Sequence, residues 1–132
     1  MGVTNSQTLY TGVFLLFILL SGFWVSRSRK PYNSLIFNIH KLIGLATGIF
    51  LVRTVYLANQ AAPLGAAQWT AIVITVLLFV ATFAAGGLLS ILDAGNLQSM
   101  SQPAQTAVSL VHKFFPYIII VSTAVTLYLL LK

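Results

Sequence analysis

The sequence contains no cysteine and only one acidic residue, Asp93, among its 132 residues. The lack of cysteine excludes disulfides, thiolate catalysis, cysteine-ligated iron–sulfur clusters and the covalent attachment of c-type haem. A single carboxylate cannot supply a carboxylate-bridged metal site or an acidic proton relay inside a membrane. The residue types left for polar chemistry are therefore histidine, arginine, tyrosine, threonine and serine.

Charge of either sign is scarce, because charged residues make up 6% of the chain and hydrophobic residues 58%. Soluble domains carry about 25% charged residues, so the composition predicts an integral membrane protein. Four apolar runs are near or above the ~20 residues that a helix needs to cross a bilayer. We therefore predict an all-α, up-down-up-down four-helix transmembrane bundle that forms one domain, 1–132, with helices at 9–25, 35–58, 67–92 and 107–131.

The basic residues predict the orientation of the bundle. Two of them, Arg53 and Lys132, fall on the side of the termini, and five fall on the other side: Arg27, Arg29, Lys30, Lys41 and Lys113. The side with more positive charge faces the cytoplasm, so both termini are expected outside, in a membrane that we expect to be the prokaryotic cytoplasmic membrane. The first eight residues carry no basic segment, and no cleaved signal peptide is expected. The positive charge is thus topological, and it predicts contact with the lipid bilayer and no nucleic-acid partner.

The two histidines are the main indication of function. His40 and His112 are each followed by a lysine and lie in the predicted second and fourth helices, which run in the same direction. Each lies about two turns past its helix start, so we expect both at about the same depth. In a square bundle these two helices are diagonal partners, and their inward side chains meet near the axis. Two neutral imidazoles in this arrangement are typical axial ligands of a haem iron.

Small residues lie where the edges of such a haem would face the first and third helices. Gly22 on the first helix and Gly86 and Gly87 on the third lie near the level of the histidines, and Ser21, Ala84 and Ala85 extend the gap. Gly44 and Pro116 follow His40 and His112 by four positions, on the ligand's own face one turn deeper. A bulky side chain there would collide with the macrocycle.

Several polar residues each have two open interpretations. Lys41 and Lys113 either extend to lipid headgroups or, with Arg27, Arg29 or Lys30, pair with haem propionates. Arg53 lies about 20 Å along the helix from His40, where it either extends to the outer interface or belongs to an outer polar site. That site would bind a quinone headgroup and would also include Thr54, Tyr56, Thr126 and Tyr128.

An offset of 72 residues relates the two histidine helices. It aligns His40-Lys41 with His112-Lys113, Thr54 with Thr126, Tyr56 with Tyr128, and Leu57 with Leu129. These matches favour two repeated helical hairpins, and chance similarity between apolar helices is the alternative.

Taken together, the chain resembles the small transmembrane b-type cytochromes. The resemblance covers the whole chain in architecture, and its motif is the two histidines with nearby glycines. It implies an electron carrier, or a subunit of an oxidoreductase rather than a stand-alone enzyme, with one haem b bound by His40 and His112 near the cytoplasmic face. Such a subunit would exchange electrons with quinone or with a partner redox protein. The chain departs from di-haem families, in which paired helices carry two histidines each, so transfer through two stacked haems is in doubt.

The alternative is a non-catalytic membrane anchor or an assembly subunit of a larger complex, in which the histidines only form hydrogen bonds between helices. A zinc or copper site is less favoured, because two nitrogens without thiolate or carboxylate leave the coordination shell incomplete. With almost no mass outside the membrane, the protein is expected to work beside other membrane or peripheral redox subunits, or as a homodimer.

Overall fold

The computed structural model describes residues 5–28, 32–95 and 99–132. It contains four helices: α1 (Asn5–Arg27), α2 (Ser34–Ala61), α3 (Ala66–Asp93) and α4 (Gln102–Leu131). No strand occurs in these three ranges, and each helix is long and apolar enough to cross a membrane. The predicted all-α class with four membrane-length helices is confirmed, and the chain is an integral membrane protein.

Local sequence explains where α2 and α4 begin. The Asn33 side chain accepts hydrogen bonds from the amides of Leu35 and Ile36, at 3.0 and 3.3 Å, and so caps α2. Helix α4 begins at Gln102, five residues before its predicted start. Pro103 is tolerated there because amides in the first turn have no partner within the helix.

The early start of α4 changes the positions of the histidines along their helices. His40 lies six residues after Ser34, whereas His112 lies ten residues after Gln102. At 1.5 Å per residue these separations are about 9 and 15 Å. The predicted equal distance from the helix starts is therefore wrong, because the polar residues of 102–106 continue the helix beyond its apolar run.

Helices α1 and α2 form one antiparallel hairpin, and α3 and α4 form another. In the first, Thr11 of α1 bonds Thr54 of α2, and Ser21 bonds His40 at the other end. In the second, Thr75 of α3 bonds Thr126 of α4, and the Thr82 carbonyl bonds His112. The chain divides into two compact units, Met1–Ala66 with Leu127–Lys132, and Ala67–Thr126; each hairpin is described by itself.

The inner faces of the hairpins are small and polar. On α2 the buried residues follow a three-four spacing, namely Gly44, Thr47, Leu51, Thr54 and Ala58. His40 lies one turn before this row. The largest side chains that are almost fully buried are all threonines, and many Leu, Ile, Val and Phe side chains are exposed. This inversion is typical of membrane helices, where lipid solvates apolar side chains and close packing needs small residues.

Candidate histidine site

In the first hairpin His40 bonds a serine of the neighbouring helix. Its Nδ1 lies 2.9 Å from the Ser21 hydroxyl oxygen, which also lies 3.0 Å from the Ile18 carbonyl oxygen. A serine has one proton to donate, so both bonds form together only when the hydroxyl donates to the carbonyl and its oxygen accepts from Nδ1–H of His40. In the neutral ring Nε2 is then the unprotonated nitrogen, which is the one that can bind a metal.

In the second hairpin the same tautomer follows from a different acceptor. Nδ1 of His112 lies 3.0 Å from the backbone carbonyl oxygen of Thr82. A carbonyl can only accept, so Nδ1 of His112 carries the proton and Nε2 carries the lone pair. Such a bond from Nδ1–H to a backbone carbonyl is a common support for a metal-binding histidine.

A glycine of the neighbouring helix makes room for each imidazole. A Cβ added at Gly22 would lie 3.1 Å from Cε1 of His40, and one added at Gly86 would lie 2.7 Å from Cε1 of His112. Both contacts are closer than ordinary van der Waals distance. A Cβ at Gly87 would meet nothing within 4 Å, so of the predicted pair only Gly86 meets the histidine.

The two hairpins match residue by residue. Thr75 and Gly86 of α3 lie 64 positions after Thr11 and Gly22 of α1, just as His112 lies 72 positions after His40. The glycine contacts the histidine in both hairpins, and a threonine pair bridges the helices about four turns away. This correspondence supports the predicted repeat.

The donor set decides which kind of metal group fits these residues. The described part of the chain holds no group of three or more histidine, cysteine or acidic side chains that could hold a metal ion. Two imidazoles alone cannot complete the shell of a zinc ion. They do suffice for a cofactor that brings its own equatorial ligands, because a haem takes only axial ligands from the protein. The residues present therefore fit a haem better than a bare ion.

The residues predicted one turn deeper lie on the expected helices. Gly44 is buried in the inner row of α2. Pro116 lies inside α4, where it lacks the amide that would bond the His112 carbonyl. Each histidine is thus followed one turn later by a residue that weakens or opens the helix.

The lysines that follow the histidines are exposed. The Lys41 ammonium lies 4.2 Å from the centre of the Phe37 ring, and the Arg27 guanidinium lies 5.5 Å from that of Phe23. These are cation–π contacts along the surface of each helix. Arg29 and Lys30 lie outside the described residues. Pairing of the basic groups with propionates, including Lys113, stays a prediction.

The structure separates the members of the predicted outer polar site. Thr54 and Thr126 are 2% and 1% exposed, because each turns inward to bond a threonine of its own hairpin. Arg53, Tyr56 and Tyr128 are exposed, and the Lys132 ammonium lies 4.7 Å from the centre of the Tyr128 ring. Thr54 therefore does not share a face with Arg53 and Tyr56. A quinone site there stays a prediction.

Sequence reasoning missed two parts of the site. It treated Ser21 only as a small residue and did not identify the Thr82 carbonyl or the Thr11 and Thr75 bridges. The repeat between α1 and α3 would have indicated the bridges, since it aligns a threonine and a glycine at one offset.

No protein family, curated protein or solved structure matches the chain significantly.

Proposed function

We propose that the protein is a membrane electron-transfer cytochrome b subunit in which His40 and His112 are the axial ligands of one haem b. The observation that carries this proposal is shared by the two histidines: Nδ1 of each lies within hydrogen-bond distance of an oxygen, the Ser21 hydroxyl for His40 and the Thr82 carbonyl for His112. A proton held on Nδ1 makes Nε2 the nitrogen whose lone pair can bind a metal. A bound haem supplies a one-electron couple between ferric and ferrous iron. With both axial positions filled by protein, electron carriage is favoured over oxygen chemistry.

The chain's own residues orient the ligands and exclude water. Ser21 and the Thr82 carbonyl hold the imidazoles at Nδ1, which limits rotation of both rings. Gly22 and Gly86 allow the rings to lie against the neighbouring helix. The apolar helices surround the site with a low-dielectric medium, which favours a neutral imidazole ligand over a charged side chain.

The partner classes follow from the membrane location. A single haem on the cytoplasmic side exchanges electrons with a cytoplasmic partner or with quinone, and it requires a second carrier to reach the outer face. Other membrane or peripheral redox subunits, or a second copy of the chain, would supply that carrier. The four apolar helices support the location of the protein in a lipid bilayer.

Absorption spectroscopy tests the proposal. Dithionite-reduced, purified protein should show the sharp α and β bands of six-coordinate low-spin haem. His40→Ala and His112→Ala should each remove these bands, because each removes an axial ligand. Gly87→Ala is the matched control, since a Cβ there meets nothing, and it should keep the bands. A folded wild-type protein that stays colourless after haem supplementation would end the proposal.

A second candidate function is a membrane anchor or assembly subunit, and one observation favours it. Both histidines already bond across their own hairpins, which is a sufficient structural role. In that case the purified protein is colourless, and His40→Ala and His112→Ala lower its unfolding temperature without any spectral change.

The orientation is a separate prediction of the proposal. Single cysteines at Ser28 and Asn59 can be introduced directly, because the chain has no native cysteine. An impermeant thiol reagent should label position 59 on intact cells, whereas position 28 should react only after permeabilisation. The opposite pattern would reverse the orientation and the side of electron entry.

A further inference from the structure

We propose that Ser21 is a positioning residue for the axial ligand His40. The strength of His40 as a ligand then depends on a side-chain hydrogen bond, whereas that of His112 depends on a backbone carbonyl. This inference rests on the proposed function. Ser21 is 8% exposed, and its hydroxyl is a hydrogen-bond partner of Nδ1 of His40 that a substitution can remove. The acceptor for His112 is a backbone carbonyl, which every residue at position 82 would provide.

Ser21 acts as a link between two groups. The bond from His40 Nδ1–H to the Ser21 oxygen continues through the serine proton to the Ile18 carbonyl. A hydroxyl that donates is polarised into a better acceptor. A stronger acceptor at Nδ1 raises the basicity of Nε2, as supporting residues of metal-bound histidines do. Ser21 should therefore strengthen His40 as an iron ligand.

The packing around His40 makes iron binding by its Nε2 depend on the Ser21 hydroxyl. In an apolar interior an unpaired Nδ1–H costs free energy, so loss of the hydroxyl would favour transfer of the proton to Nε2 or rotation of the ring. Gly22 lies against Cε1 of the ring and limits rotation. Transfer of the proton to Nε2 would remove the lone pair that binds iron.

Thr82 provides a matched control in the second hairpin. Its side-chain hydroxyl donates to the Leu78 carbonyl at 2.9 Å, while its backbone carbonyl accepts from His112. Thr82→Ala also removes a hydroxyl that donates to a carbonyl of its own helix, but it leaves the backbone acceptor for His112 in place. Any difference between Ser21→Ala and Thr82→Ala therefore reports the hydrogen bond to Nδ1.

The test measures haem affinity and midpoint potential of the full chain in lipid nanodiscs. Ser21→Ala should lower haem affinity about 10-fold or more and raise the potential, because a weaker ligand stabilises ferric iron less. Ser21→Thr, which keeps the hydroxyl, should restore both values. Ser26→Ala, which removes an exposed hydroxyl of the same helix that donates to the Gly22 carbonyl, should match the wild type, and Thr82→Ala should change both values less than Ser21→Ala does. Equal effects of Ser21→Ala and Thr82→Ala would overturn the inference.

Nitrogen-15 NMR of the histidines in the haem-free full chain separates this inference from the proposed function. The wild type should show the proton on Nδ1 of both rings, and Ser21→Ala should move it in His40 alone. A proton on Nε2 of His40 in the wild type would overturn the role of Ser21, whether or not haem binds. Should Ser21→Ala not fold, Ser21→Cys, of similar size and a weaker acceptor, takes its place, with affinity expected between those of Ser21→Ala and the wild type.

Discussion

The α1–α2 hairpin holds His40 through a side-chain hydroxyl, whereas the α3–α4 hairpin holds His112 through a backbone carbonyl. The glycine contact is also closer in the second hairpin, at 2.7 Å from an added Cβ against 3.1 Å in the first. The two hairpins therefore share one arrangement of residues, but the space around the histidine is smaller in the second. The second copy tolerates less change around its histidine, and the first can be adjusted by single substitutions.

Gly86→Ala should have the largest effect of the substitutions that test this comparison. Its Cβ would meet Cε1 at 2.7 Å and Nδ1 at 3.1 Å of His112, so the ring must move and its bond to the Thr82 carbonyl must break or lengthen. Forced overpacking costs about 1–3 kcal/mol. Haem content per folded protein should fall at least several-fold, measured by the reduced α band against protein concentration.

Gly22→Ala should do the same in the first hairpin but more weakly, because the added Cβ meets Cε1 of His40 at 3.1 Å. A shift of a few tenths of an ångström relieves this contact. Gly87→Ala controls for the loss of a helical glycine. Equal losses of haem for Gly86→Ala and Gly22→Ala would show that the hairpins hold their histidines equally tightly.

The hydrogen bonds of the threonine bridges should also contribute more to the free energy of unfolding in the second hairpin than in the first, by a smaller amount. Thr75 bonds both Ser122 and Thr126, at 2.6 and 2.9 Å, whereas Thr11 bonds Thr54 at 3.2 Å. Interhelical hydrogen bonds in membranes contribute about 0.6 kcal/mol on average. Thr75→Val should therefore lower the free energy of unfolding by about 1 kcal/mol, and Thr11→Val by about half as much. Titration with SDS in mixed micelles measures the free energy of unfolding of both variants. A larger effect of Thr11→Val than of Thr75→Val would contradict the comparison.

Some of the site could be predicted and some could not. The pair His40 and His112, and a glycine partner on each neighbouring helix, follow from the sequence, since few polar residues exist to choose from. The choice of Gly86 over Gly87 does not follow, because adjacent residues point about 100° apart and the sequence does not show which of the two directions faces the histidine. The start of α4 at Gln102 does not follow from the apolar run, because polar residues and a proline precede that run and continue the helix only as its first turns.

The sequence by itself determined the class of the protein: long apolar runs with few charges form helices in a membrane, since every backbone group needs a partner there. It also determined that His40 and His112 are the two histidines of the chain and that no cysteine accompanies them. Only the tertiary structure decided the hydrogen-bond partners of the two Nδ1 atoms, the Ser21 hydroxyl and the Thr82 carbonyl, and the inward faces of the helices. Large apolar residues cover most of the outer surface of these helices, so hydrophobic periodicity does not fix their rotation. Close packing of small residues does, and that packing depends on contacts between helices that are distant in the chain.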